Sequence, residues 1–276
     1  MATRKPRKIE YAKILDDMLT RRGKIAECYS IFHDYSMLNQ VCLVNQYLDR
    51  GQQPAPVATY KKWASLDRQV KKGAKALWMW IPTVRKEETV DKETGEKKER
   101  SWLQFYFKPL WFSVSDTEGA DIQDKLDAVS QVFDLDGTLR ELGIKRVPFR
   151  MINGNAQGYM VATSGNIAIN PVAAHPEKTA LHEIAHSLMH RDSNADLPKG
   201  QKEVEAEATA LICGTVLNIL SDEEQEESVG YIRHWMQAAD PDVLTTSAKR
   251  IFAAVDKILR ANKNGNGGSL PLAKAA

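Results

Sequence analysis

The sequence predicts an α+β chain of two domains, on three observations. Apolar residues recur at helical spacing over 9–19 and 31–48 and then give way to strand-like runs at 76–81, 102–107 and 110–114. That part reads as helices joined to an antiparallel sheet. A second, helix-rich region begins near 119 and contains the run His-Glu-Ile-Ala-His at 182–186. Charge divides at the same place: residues 1–115 hold 22 Lys and Arg against 13 Asp and Glu, net +9, and residues 116–276 hold 16 against 23, net −7.

These observations set the expected boundaries at 1–118 for a basic domain, 119–262 for a second domain and 263–276 for a low-complexity tail (ANKNGNGGSLPLAKAA begins at 261). A chain of 276 residues, 43% hydrophobic, can bury two modest cores. No apolar run approaches 18 residues, so no membrane helix is expected. The N-terminus mixes Glu10, Lys13, Asp16 and Asp17 among its apolar positions, unlike a secretory leader, and the reading is a cytoplasmic protein. Cys28, Cys42 and Cys213 are isolated, as reduced core thiols are.

Taken in order, residues 1–8 form a basic arm, and helices follow over 9–19 and 31–48, the second closed by Gly51 and Pro54-Ala-Pro56. Residues 60–66 read as a short helix, Gly73 as a turn and 76–81 as a strand. Residues 85–100 carry 12 charges in 16 and read as a solvated hairpin tip with its turn at Thr94-Gly95. Within this half Tyr60, Lys61, Lys62, Trp63, Arg68, Lys71, Lys72, Lys75 and Trp78 interleave cations with rings. Cations that follow a phosphate backbone and rings that stack on exposed bases are the chemistry of single-stranded nucleic acid binding, about 1–3 kcal/mol per stack. The alternative is that the tryptophans are core and the lysines a solvated face.

The segments FHDYSMLNQVCLVNQ at 32–46, TYKKWASLDRQVKKGAKALWMWIP at 59–82 and FKPLWFSVSDTEG at 107–119 resemble the N-terminal domain of ArdC-type antirestriction proteins, with HEIAH in the matching place downstream. The resemblance spans about 9–260 and rests on the order of the four segments. It implies an N-terminal single-stranded-DNA-binding domain, a C-terminal zinc-metallopeptidase-like domain, and protection of incoming DNA during conjugation or phage entry. One departure is Asp67, where that family leads one to expect glycine before Arg68.

In the C-terminal part, 121–142 reads as a helical linker broken at Asp136-Gly137, and 158–163 with 166–170 as a hairpin about Ser164-Gly165. Histidines four apart on a helix share one face, so His182 and His186 can reach one metal ion, and Glu183 beside them is the general base. A catalytic zinc needs a third protein ligand and one open position. His190 lies about 12 Å beyond His182 along a continuous helix and is set aside as a ligand, leaving it a supporting or helix-end role. The helix KEVEAEATALICGTVL offers Glu203 and Glu207 on one face, with Glu205 pointing elsewhere. Two acids on a largely apolar helix need an electrostatic reason, and the pattern is similar to thermolysin-like gluzincins. That likeness implies Glu203 as the zinc ligand, Glu207 as the acid orienting a ligand histidine, and a zincin fold whose edge strand receives an extended peptide. A solvated acidic first turn is the alternative. Two rivals to the whole reading remain: a regulatory ImmA-type zinc protease that cleaves a repressor, and a DNA-binding module with a purely structural zinc.

Overall fold

The computed structural model describes residues 8–90, 97–122, 131–150, 156–191, 194 and 196–266. The basic arm up to residue 7, the Thr94-Gly95 turn, residues 123–130 of the expected linker helix, residues 151–155 ahead of the hairpin and the tail from 267 lie outside the described residues.

The chain divides into two compact units, Met1–Ile9 with Asn45–Asp124, and Glu10–Val44 with Lys125–Ala276. Residues 10–44 thus group with the C-terminal unit, unlike a single sequential boundary at 118. Their helix α1 (Tyr11–Glu27) buries Leu15, Met18, Leu19 and Ile25 against helices near the C-terminus, a pairing that helical periodicity cannot announce.

The first unit is built on a three-stranded antiparallel sheet in the order β1 (Val57–Thr59), β4 (Lys97–Ser113), β3 (Leu77–Val90), with a small ribbon of β2 (Arg68–Val70) and β5 (Thr117–Gly119). Strands β3 and β4 run well past the expected 76–81 and 102–107. Pairing continues to Val90↔Lys97, so most of the charged stretch is strand, with Arg85 opposite Trp102 and Glu87 opposite Arg100. The register slips between Leu77 and Trp78, where Leu110 is passed over beside Pro109, which has no N–H to donate. Thr59 caps the short helix α4 (Tyr60–Ala64), whose Trp63 points inward. From the end of α3 (Met37–Asp49), Gln46 pairs its amide with the Trp78 backbone in both directions at 2.8 Å, and Arg50 donates to Lys75 O and Ala76 O. Asp67 sits at φ +57°, which explains why glycine is the natural residue there and why aspartate, tolerant of left-handed backbone, can replace it.

In the second unit, the expected helix over 31–48 is two, α2 (Tyr29–Phe32) and α3, because the Met37 N–H is capped by Asp256 at 2.6 Å. Helix α5 (Leu135–Leu142) starts on an Asp134 cap and contains Gly137 without breaking. Strands β6 (Gly158–Met160) and β7 (Ile167–Ile169) form the expected hairpin, and β7 also bridges Arg146, so among the described residues β6 has the open edge. Helices α6 (Pro176–Met189), α7 (Lys199–Val216), α8 (Asp222–Ala238) and α9 (Pro241–Gly265) complete it. Ser221 and Glu224 make a reciprocal capping box at α8, and Asp240 caps α9. Helix α7, buried from Val204 to Val216 except at half-buried Glu207, is the centre on which α1, α6, α8 and α9 pack. No described helix is long and apolar enough to cross a membrane, and Cys28, Cys42 and Cys213 form no disulfide.

Asp256 gives a testable pH dependence. Burial pushes its carboxyl up to about 6, against the Met37 N–H and Arg260, which favour the charge. A raised folded pKa makes ionisation costly, so the stability present below the ordinary value of 3.8 is lost as pH rises through about 6. Asp256→Asn keeps an acceptor for Met37 and removes the charge; it should stabilise the chain by about 1–3 kcal/mol at pH 7.5 and little at pH 4. Urea unfolding at both pH values checks this, and equal effects at the two would refute it.

Candidate metal centre and nucleic-acid surface

Pro176 at the first turn and Glu177 beside it start α6, whose apolar Ala180, Leu181, Ile184, Ala185 and Met189 are buried. That burial directs His182 and His186 together to one side. From α7, Glu203 reaches the same point. His182 Nε2 and His186 Nε2 are 3.1 Å apart, and Glu203 Oε2 lies 3.5 Å from the first and 3.7 Å from the second. A tetrahedral ion about 2.0–2.1 Å from each ligand needs ligand atoms about 3.3–3.4 Å apart, so the three fit one divalent ion. Among the described residues this is the cluster able to hold a metal. The site opens to a cleft lined by Lys178, His182, Glu203, Glu207, Glu227, Ser228 and Tyr231.

Glu207 accepts from His182 Nδ1 at 3.3 Å, and takes Lys178 at 3.0 Å and the Ser228 hydroxyl at 2.5 Å. Burial works to raise its pKa, but these donors hold it at about 2. Burial likewise works to lower that of His182, and the bonds to Glu203 and Glu207 outweigh it, holding the imidazole at about 9 without metal. Those histidines draw Glu203 well below the usual carboxylate range. Glu183, buried to 8% exposure, is raised by desolvation and accepts the Met160 backbone N–H from β6. Gly158 permits that approach, since a Cβ there would meet the Thr179 methyl at 2.7 Å and Glu183 Cγ at 3.1 Å. At the far end of α6, Ser187 donates to Gly165 O at 2.6 Å, fixing the hairpin turn to the helix.

His190 caps the C-terminus of α6. Its Nδ1 meets His186 Nδ1 at 2.8 Å, on the side of that ring opposite Nε2. Glu205, expected to point elsewhere, does so into the core: it is fully buried and bonded to His190, Arg250, Ser247 and Gln201.

In the first unit the nine candidate DNA-binding residues separate. Trp63 is 2% exposed and donates its indole N–H to Phe112 O at 2.9 Å, so it is core and not a stacking platform. The Arg68 guanidinium bonds Thr117 Oγ1 at 2.8 Å, Thr117 O and Ala120 O, which ties β2 to β5. Lys71 reaches Ser115 O at 3.1 Å. Trp78 is half-buried and stacks on Phe107 at 5.3 Å. Tyr60, Lys61, Lys72 and Lys75 are exposed and Lys62 half-buried. A second cationic and aromatic surface was not among the sequence candidates. Alternation on the β3–β4 ribbon puts Arg85, Trp102, Tyr106, Lys108 and Arg100 on one face, with Glu87 as its acid. Arg85 and Lys108 lie over the Tyr106 ring at 5.5 and 5.4 Å, and Trp102 is 43% exposed. The readable signal was the alternation of Trp102, Tyr106 and Lys108 along a strand-like run; Arg85 and Arg100 lie in the charged stretch that composition assigns to a hairpin tip.

Residues 17–108 match the family described as the N-terminal domain of anti-restriction factor ArdC. Over nearly the whole chain the fold is that of the antirestriction ArdC protein from R388 plasmid. Its metal-free crystal structure superposes with a TM-score of 0.51 at 21% identity, covering 94% of this chain and 99% of that one. The Mn(II)-bound crystal structure of the R388 protein gives 0.51 at 18% identity, covering 93% and 99%. No curated protein matches the chain.

Proposed function

We propose, for a chain that is of the ArdC type by its N-terminal domain and its fold, that it binds single-stranded DNA and holds a divalent metal ion, zinc by its ligand set, at His182, His186 and Glu203 in a metallopeptidase-like centre. Its biological setting would be the cytoplasm, protecting incoming plasmid or phage DNA. The observation that carries the metal half is the 3.1, 3.5 and 3.7 Å triangle of ligand atoms. Mn(II) in the R388 protein agrees with a divalent ion, and two imidazoles with one carboxylate is a donor set that zinc accepts.

When bound, such an ion supplies Lewis acidity toward a water and a carbonyl oxygen. Glu183 is placed to take a proton from the attacking water and return it to the leaving nitrogen. Burial raises its pKa from the ordinary carboxylate value, the direction that favours such an exchange. The open edge of β6, whose Met160 amide fixes Glu183, is where an extended peptide could add as a strand. The open cleft beside Glu203, itself 40% exposed, favours this hydrolytic reading over a closed structural zinc.

For the DNA half, the supporting features are exposed Tyr60, Lys61, Lys72 and Lys75 and the ribbon face with Arg85, Trp102, Tyr106 and Lys108. Binding of an oligothymidine strand to the full chain should weaken with salt, with a log–log slope of about −0.7 per phosphate neutralised. Arg85→Gln with Lys108→Gln should flatten that slope by about 1.4. A wild-type affinity independent of salt, or absent, would end the DNA reading.

A further inference from the structure

We infer that His190 is a positioning residue for the metal centre: it fixes His186 as the Nδ1–H tautomer and couples that ligand to the buried Glu205–Arg250 ion pair. This rests on the reading of His182, His186 and Glu203 as metal ligands.

The direction of the protons follows from both ends of the chain of contacts. At the metal end, Nε2 of His186 faces His182 and Glu203, and it can donate a lone pair there only if the ring proton sits on Nδ1. Nδ1 is 2.8 Å from His190 Nδ1, so His190 must accept at Nδ1 and carry its own proton on Nε2. At the other end, His190 Nε2 is 3.0 Å from Glu205 Oε2. That carboxylate already accepts from Arg250 Nε at 2.9 Å, from Arg250 Nη2, from Ser247 at 2.6 Å and from Gln201 at 3.2 Å. Surrounded by donors, Glu205 is an acceptor and His190 Nε2 must donate to it. The two ends independently require the same tautomers.

No solvent competes for these bonds, since the side chains of His190 and Glu205 are 1% and 0% exposed. The two histidine ligands are therefore held differently. His182 meets a carboxylate directly, through Glu207, while His186 receives the influence of Glu205 through an intervening imidazole. This fixes the ring orientation of His186 and strengthens Nε2 as a donor. It also gives the otherwise costly burial of the Glu205 carboxylate, paired with half-buried Arg250, a role in binding the ion.

The test measures zinc affinity of the full chain, metal-free at the outset, by competition with a chromophoric chelator. His190→Phe fills the same space without either nitrogen and leaves Glu205 with Arg250, Ser247 and Gln201, so the fold keeps its ion pair. It should weaken zinc binding about 10–100-fold while thermal unfolding of the metal-free chain stays close to wild type. His190→Asn, which restores an acceptor for His186 but cannot reach Glu205, should recover part of the loss. Nitrogen NMR of the zinc-loaded wild type needs no variant, and should show protons on His186 Nδ1 and His190 Nε2. Wild-type affinity in His190→Phe, or the opposite tautomers, would overturn the inference. If the wild type itself takes up no zinc, the metal-centre reading has failed and this one falls with it.

Discussion

Glu183→Gln should leave the chain with its full complement of divalent metal and reduce peptide hydrolysis by about 10²–10⁴-fold, the range a positioned general base contributes. The glutamine keeps the shape beside His182 and the contact with the Met160 amide, but cannot hold a proton in transit. Glu203→Ala is its complement, removing one corner of the 3.1, 3.5 and 3.7 Å triangle, so it should lose metal and activity together. Metal content after dialysis and cleavage of a denatured protein substrate separate the two. Hydrolysis by Glu183→Gln at the wild-type rate, or equal metal retention by Glu203→Ala, would remove the catalytic assignment and favour a structural ion.

Arg250→Ala should destabilise the chain by about 3–5 kcal/mol, because it leaves a carboxylate with no solvent exposure and no cation. Glu205 would keep Ser247, Gln201 and His190, which are hydrogen-bond donors without a fixed charge. The pH dependence gives an independent signature. Burial works to raise the Glu205 pKa, and the bonds from Arg250, His190 and Ser247 bring it down to about 2 from the ordinary 4.5. A depressed folded pKa contributes stability that is present above 4.5 and lost as pH falls toward 2. Wild-type protein should weaken across that window, and Arg250→Ala should weaken less. Chemical unfolding with a chelator present, at pH 7, 4.5 and 3, tests both statements. A loss under 1 kcal/mol at pH 7 would show that water reaches Glu205.

The candidate site was legible wherever local spacing fixed it. Spacing of four put His182 with His186 and Glu203 with Glu207 on shared helix faces, with Glu183 beside the first histidine, while the likeness to gluzincins supplied the roles of the two acids; the structure brings all five to one place. Glu205 shows the limit: it shares a helix with Glu203 but faces the other way, toward Arg250, 45 positions later, and His190, 15 earlier. No helical period encodes such partners. The break between α2 and α3 is of the same kind, since Asp256 caps Met37 from 219 residues away. Composition misled at 85–100, where charge density suggested a solvated tip while the two sides pair strand to strand. It misled again at Trp63, set among lysines yet turned inward by the short helix that carries it.

The position of β3 at the margin of its sheet has a further consequence. A 14-residue strand whose outer edge meets no other strand among the described residues is a template on which other chains could polymerise. Near its start, Gln46 occupies both hydrogen-bonding groups of Trp78, as an adjacent strand would. Pro82 then has no hydrogen to offer, and the run Arg85, Lys86, Glu87 makes an invading strand desolvate charge. The same charges that disguised the ribbon in the sequence thus guard the fold against self-association, so neutralising them should lower solubility before it lowers stability.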